Sequence, residues 1–153
     1  MNVHNISRQI LIHGLILVLF GLVWGLVVPH TPYPRLALGA HIQFETNGML
    51  FIIMAMVLLN LSHTVGPKSA WVMLVAAWLT WLMVLSEVAN AWWGTAEMLP
   101  ISAKQANVTG GTAWQELIVK LTHIAAGLCL IVAWSLLVAG FVKQNATGES
   151  GDT

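Results

Sequence analysis

Four long apolar stretches dominate the pattern along the chain: Arg8 to Pro29, Gly39 to Leu61, Ser69 to Trp93, and Trp114 to Val142. Each supplies the about 20 helical residues that cross a hydrocarbon core about 30 Å thick. None alternates apolar and polar residues with period two, and a bilayer core offers no water to backbone groups, so each must satisfy its own hydrogen bonds as a helix. The expected fold class is all-α: an integral membrane bundle of four transmembrane helices, one domain over residues 1–143. A β-barrel is excluded.

The links make sequential helices antiparallel. Side A of the membrane receives the N-terminus, the link Ser62 to Lys68 and the C-terminus; side B receives His30 to Leu38 and Gly94 to Ala113. In His30-Thr31-Pro32-Tyr33-Pro34 the prolines lack N–H donors and push their neighbours into extended backbone, which predicts a non-helical turn. The tail from Gln144 to Thr153 has no apolar period and is expected to be disordered. Gly21 and Gly25 form a small-xxx-small pair, a common signal for close helix contact.

Composition removes the soluble alternatives. Of 153 residues, 58% are hydrophobic and 8% charged, where a soluble domain carries about 25% charged residues. Net charge is zero and no basic run occurs, so nucleic acid is not an expected partner. Cys129 is the single cysteine and lies in the fourth span, which leaves no disulfide framework and no cysteine-based metal spacing. The first apolar run is longer than a signal-peptide core and no small-residue cleavage pattern precedes Pro29, so it is expected to be retained. Side A carries Arg8, Lys68 and Lys143 near the spans and side B Arg35 and Lys104, which puts both termini in the cytoplasm of a bacterial inner membrane.

Polar residues inside membrane helices are costly and mark sites or pathways. At about 1.5 Å of rise per residue, Asn47, Glu87 and Lys120 reach a common depth roughly 10 Å inside side B. On the second helix His41 and Glu45 share a face that Gly48 continues, while Asn47 points about 240° around from His41. Thr80, Glu87, Asn90 and Gly94 form a stripe on the third helix; Glu116, Lys120 and His123 form one on the fourth. His13 and His63 lie towards side A, too far from His41 to share a site.

Each feature also has a plain structural reading. Glu116 and Lys120 are a well-oriented i,i+4 pair, and Lys120 can snorkel to the interface. Glu87 and Asn90 can join helices by hydrogen bonds, and His13, His30 and His63 can be packing residues. Trp24, Trp71, Trp92, Trp93 and Trp114 fit an interfacial aromatic belt. Trp78 and Trp81 lie deeper, either as core packing or as the aromatic wall of a pocket, where a ring can stabilise a cation.

Written out, Pro34-Arg35-Leu36-Ala37-Leu38-Gly39-Ala40-His41-Ile42-Gln43-Phe44-Glu45-Thr46-Asn47-Gly48-Met49 resembles the hydroxylaminobenzene mutases, marked by a His followed six residues later by Asn-Gly. Trp93-Gly94-Thr95-Ala96-Glu97-Met98-Leu99-Pro100-Ile101 and Trp114-Gln115-Glu116 are similar to that family's third loop and fourth helix. The His-x5-Asn-Gly spacing also resembles the styrene oxide isomerases, whose His is the axial ligand of a b-type heme between subunits of a trimer and whose Asn contacts substrate oxygen. The resemblance therefore implies a homotrimer with heme b held through His41 and Asn47 on the substrate oxygen; Lys120, singled out by its depth, is a further cofactor-binding candidate. The chain departs from the mutase pattern at Gln43, where an acid is usual and Glu45 lies two further on. It departs again at Trp78, Trp81 and Met83, where relatives carry Tyr and Asn.

The leading expectation is an isomerase in which ferric heme acts as a Lewis acid, turning an aryl hydroxylamine into an aminophenol. Asn47 would hold the oxygen, Glu45 or Glu87 would move a proton, and Trp78, Trp81 and Asn90 would line the site of a small aromatic substrate. An aryl epoxide opened to an aldehyde is the closest alternative. A bis-histidine heme electron carrier using His41 and His123, and a small transporter or accessory subunit without a cofactor, are the others.

Overall fold

A computed structural model describes residues 2–148. It contains α1 (Val3–Val27), a 3-10 turn (Val28–His30), α2 (Pro34–Asn60), α3 (Pro67–Trp93), α4 (Pro100–Gln105) and α5 (Ala113–Gly148). Four of these, α1, α2, α3 and α5, are long and apolar enough to cross a membrane, and no strand occurs among the described residues. The all-α membrane fold is as expected.

The ends differ from the apolar spans for identifiable reasons. Asn2 caps α1 by accepting the Asn5 N–H at 2.9 Å, so that helix begins before Arg8. Pro34, Pro67 and Pro100 each open a helix, where the missing N–H is harmless and φ is already helical. The prolines that predict a non-helical link therefore end one turn and start α2 at Pro34, five residues ahead of Gly39. Gly94 stops α3 with φ +64° while its N–H returns to the Asn90 carbonyl, a left-handed cap that glycine adopts without strain. Two further corrections are needed. The side-B link contains α4, hidden in sequence because six residues are too few to show a period. The tail expected to be disordered from Gln144 continues α5 to Gly148, and its last five residues lie outside the described ones.

Packing places α3 at the centre. Half of its span is buried, against 22% for α1 and for α5, whose exposed Leu15, Leu19, Leu22 and Leu26 or Leu117, Leu121, Leu128 and Ile131 suit contact with lipid. The α1, α2 and α3 helices pack on one another, α5 packs on α3, and α4 rests against α2. The core runs through Ile6, Ile10, Leu17, Phe44, Phe51, Met54, Met73 and Val84. Where α1 meets α2 the backbones nearly touch: a Cβ on Gly14 would lie 2.8 Å from the Gly48 carbonyl oxygen, and one on Gly48 would lie 2.9 Å from that of Gly14. Such proximity is how small residues associate helices in lipid, where hydrophobicity supplies no net drive.

Candidate functional site

The close α1–α2 contact continues towards side B and seats His41. Gly25 lies under the imidazole, since a Cβ there would fall 3.1 Å from His41 Cε1; Gly21 opposes Glu45 and Phe44, with a Cβ 2.8 Å from Glu45 Cγ. The antiparallel register thus pairs Gly25 with His41 and Gly21 with Glu45, four residues apart on each helix. His41 Nδ1 lies 2.9 Å from the Gly21 carbonyl oxygen. A carbonyl only accepts, so Nδ1 carries a proton, and in the neutral form of the ring the lone pair lies on Nε2. Glu45 Oε1 is 3.8 Å from Nε2, and the two side chains are 25% and 32% exposed. Leu22 and Leu38, three residues before Gly25 and His41, are exposed beside this seat.

Gln43 and Asn47 occupy another face of α2. Asn47 is buried and donates from Nδ2 to the Gln43 carbonyl and to Gln43 Oε1, both at 2.8 Å. One turn nearer side B on that face, Gly39 approaches Glu87: a Cβ there would lie 3.3 Å from Oε2. Glu87 Oε1 is 2.6 Å from His123 Nε2, and His123 Nδ1 donates to the Val119 carbonyl at 2.7 Å. With Nδ1 carrying a proton, one further proton serves both Oε1 and Nε2, so the pair is net neutral whichever atom holds it. Neutrality makes two ionisable groups, both buried, tolerable at this depth. Glu87 Oε2 has no hydrogen-bond partner.

The polar residues of the side-B ends organise the link. Glu116 does not pair with Lys120, as the i,i+4 spacing suggests. Its carboxylate accepts the N–H groups of Ala96 at 2.8 Å, Glu97 at 3.0 Å and Gly111 at 2.9 Å, while Lys120 pairs with the Glu97 carboxylate. Asn90, 1% exposed, accepts the Thr95 N–H on Oδ1 at 2.7 Å, which ties it to the link. Trp78 and Trp81 meet α1: Trp81 Nε1 donates to His13 Nδ1 at 3.1 Å, Trp78 contacts His13 edge to face at 4.6 Å, and Trp81 also packs on Phe20 and Phe44. His63 lies at the side-A link, bonded to the Leu58 carbonyl and the Val65 N–H.

Within one chain, then, His41 and Glu45 share a seat on α1, and Asn47 and Glu87 lie on other faces. The sequence marks Gly21 and Gly25 as a helix contact and Gln43 as a departure from the mutase pattern, but not what they face: His41 and Glu45 for the glycines, Asn47 for Gln43. The legible signal for the glycines was the shared spacing of four; for Gln43 it was the i,i+4 relation to Asn47. No group of three or more His, Cys, Asp or Glu gathers to hold a bare metal ion among the described residues. His41 does fit a flat apolar cofactor: one imidazole with a free Nε2, backed by a carbonyl that fixes its tautomer as in most metal-binding histidines, opening among exposed leucines.

Hydroxylaminobenzene mutase HabB of Ectopseudomonas oleovorans is 28% identical over 143 residues, covering 92% of this chain and 84% of that protein. Hydroxylaminobenzene mutase HabA of the same organism is 36% identical over 92 residues, covering 59% of this chain and 67% of that protein. No solved structure matches. The family pattern described as styrene oxide isomerase covers residues 6–142, the four membrane helices with their links, and the chain accordingly belongs to the styrene oxide isomerase family.

Proposed function

We propose that this isomerase of the styrene oxide isomerase and hydroxylaminobenzene mutase type rearranges an aryl hydroxylamine to an aminophenol, with heme b held by His41. The carrying observation is the His41 seat, where the Gly21 carbonyl fixes the proton on Nδ1 and leaves Nε2 free. Ferric heme bound there supplies a Lewis acid for the substrate oxygen. The relatives' names favour the hydroxylamine over an epoxide. In that reaction the N–O bond breaks, the hydroxyl goes to a ring carbon, and the proton lost by that carbon goes to nitrogen, so no co-reactant is needed.

The chain's residues divide the work. His41 orients the cofactor, and the amide pair Gln43–Asn47 supplies the polar contact to substrate oxygen. Glu45, beside Nε2, is placed to hold or move a proton. His41 and Asn47 point about 240° apart on α2, so in a homotrimer His41 of one copy and the Gln43–Asn47 pair of its neighbour would face one substrate. The setting is a bacterial inner membrane with cytoplasmic termini. The electron-carrier alternative requires a second imidazole, but His123 already engages Val119 and Glu87 through its two ring nitrogens.

The optical spectrum of the purified protein, with and without an added oxygen-donor ligand, tests the reading. Ferric heme that responds to the ligand, together with turnover of phenylhydroxylamine, is the expected result. A six-coordinate low-spin spectrum indifferent to ligand supports the electron carrier, and no cofactor overturns the heme assignment. Faster turnover of styrene oxide would make the epoxide the substrate.

A further inference from the structure

Three buried side-chain atoms have no hydrogen-bond partner among the described residues: Thr80 Oγ1, Trp134 Nε1 and Glu87 Oε2. Only Glu87 is ionisable, and it is 2% exposed. Leaving a buried polar atom unpaired costs stability, most of all for a group that can carry charge, so packing alone does not account for this oxygen. The other carboxyl atom, Oε1, lies 2.6 Å from His123 Nε2, a contact that holds the group still. Oε2 is turned to α2, where Gly39 leaves a notch beside it: a Cβ there would lie 3.3 Å from the oxygen. Gly39, Gln43 and Asn47 follow at intervals of four along that face. Gly39 also lies two residues, about 3 Å of rise, from His41, so Oε2 and His41 share a depth. Rotation about the membrane normal preserves depth. In the homotrimer proposed above, Oε2 of one copy would therefore stand level with His41 of its neighbour, at the side-B end of the face that carries Asn47. Resting on the function proposed above, we infer that Glu87 is the acid–base residue of the rearrangement, which takes the proton from the ring carbon that gains the hydroxyl and returns it to nitrogen.

The chemistry requires such a group. Once the hydroxyl has reached a ring carbon, that carbon still bears its hydrogen and the ring is not aromatic. Oε2 takes the hydrogen as a proton, the C–H electron pair restores the ring, the C=N pair moves to nitrogen, and nitrogen takes the proton from Oε2. The carboxyl ends as it began and no co-reactant is consumed. A carboxylate is available for this because the proton shared by Glu87 and His123 can sit on Nε2. An aryl epoxide opened to an aldehyde moves its hydrogen as hydride within the substrate and needs no base. A carboxyl with one held oxygen and one unpaired oxygen thus suits the hydroxylamine reaction and has no task in the epoxide one.

The test uses the full-length protein in detergent and the variants Glu87→Gln, Glu87→Asp and Glu45→Gln. Readouts are kcat and KM for phenylhydroxylamine, the isotope effect on kcat when its ring hydrogens are deuterium, heme content and oligomeric state. Glu87→Gln can still hydrogen-bond to His123 but cannot take a proton. It is expected to lower kcat about 10²- to 10⁴-fold with little change in KM, heme content or assembly. Proton removal then limits turnover, so the isotope effect should rise above that of the wild type. Glu87→Asp keeps a carboxyl one methylene further back and should fall between the two. If Glu87→Gln fails to assemble, Glu87→Asp carries the same expectation of a larger isotope effect. Near wild-type kcat in Glu87→Gln, a lowered kcat with an unchanged isotope effect, or a larger isotope effect in Glu45→Gln instead, would overturn the inference. Wild-type protein inert towards phenylhydroxylamine refutes the proposed function instead, and heme content reports separately on His41.

Discussion

Replacing Gly25 with alanine tests the seat under His41. The new Cβ would lie 3.1 Å from His41 Cε1 and 3.3 Å from Nδ1, a few tenths of an ångström inside ordinary contact. The ring must yield, because the α1 backbone beneath it is held by its own helix. Displacement by that amount disturbs the 2.9 Å bond from Nδ1 to the Gly21 carbonyl, and loss of such a partner costs about 10- to 100-fold in metal affinity. A single methyl displaces the bond without removing it, so the lower figure applies: about tenfold weaker hemin binding, equivalent to about 1.4 kcal/mol. Gly14→Ala is the matched control. It forces a Cβ to 2.8 Å from the Gly48 carbonyl oxygen and 2.9 Å from the Ile52 backbone nitrogen, which should cost about 1–3 kcal/mol of stability without touching His41. The assay titrates hemin into apo-protein in detergent and expresses bound heme per folded chain. Wild-type affinity in Gly25→Ala, or equal loss per folded chain in Gly14→Ala, would refute the seat.

Other outcomes follow from the same geometry. His41→Ala should yield inserted protein without heme or turnover, whereas His13→Ala and His63→Ala should keep heme; the pyridine hemochrome reads this directly. His123→Leu leaves the Glu87 carboxyl buried without its partner and should cost about 3–5 kcal/mol, while the double change Glu87→Leu/His123→Leu should recover most of it. Equal losses for single and double variants in thermal unfolding would contradict a coupled pair. Glu116→Ala removes the acceptor of three backbone N–H groups, so protease should cut between residues 94 and 112 faster than in wild type. An unchanged cutting rate would mean that other contacts hold the link.

The spans were legible because lipid selects for apolar length, a property visible residue by residue. Their ends were not, since a proline that cannot continue a helix is equally suited to begin one, as Pro34 and Pro67 do. The polar residues were found for a related reason: His41, Asn47, Glu87 and Lys120 stand out against an apolar background. Their partners did not. Glu116 looks like half of a helix-surface ion pair until the backbone of the 94–112 link folds over it, and that link has no periodicity to announce it. Gln43 looks like a polar residue at a helix end until Asn47, one turn on, is seen to use its oxygen. The spacing of Gly21 and Gly25 marked a helix contact, but glycines carry no side chain to say what they face, and Glu45 and His41 emerged as their partners only once antiparallel register set them opposite.

That register also has a consequence for how the protein is made. All the groups that orient His41, namely the Gly21 carbonyl, the Gly25 surface beneath the ring and the Glu45 carboxylate, come from α1 and α2, which end at Asn60. A hairpin of two helices joined by a short turn can enter the bilayer as a unit while the ribosome is still making α3. The imidazole can therefore reach its orientation, with one nitrogen committed and the other free, before Glu87, His123 or the 94–112 link exists.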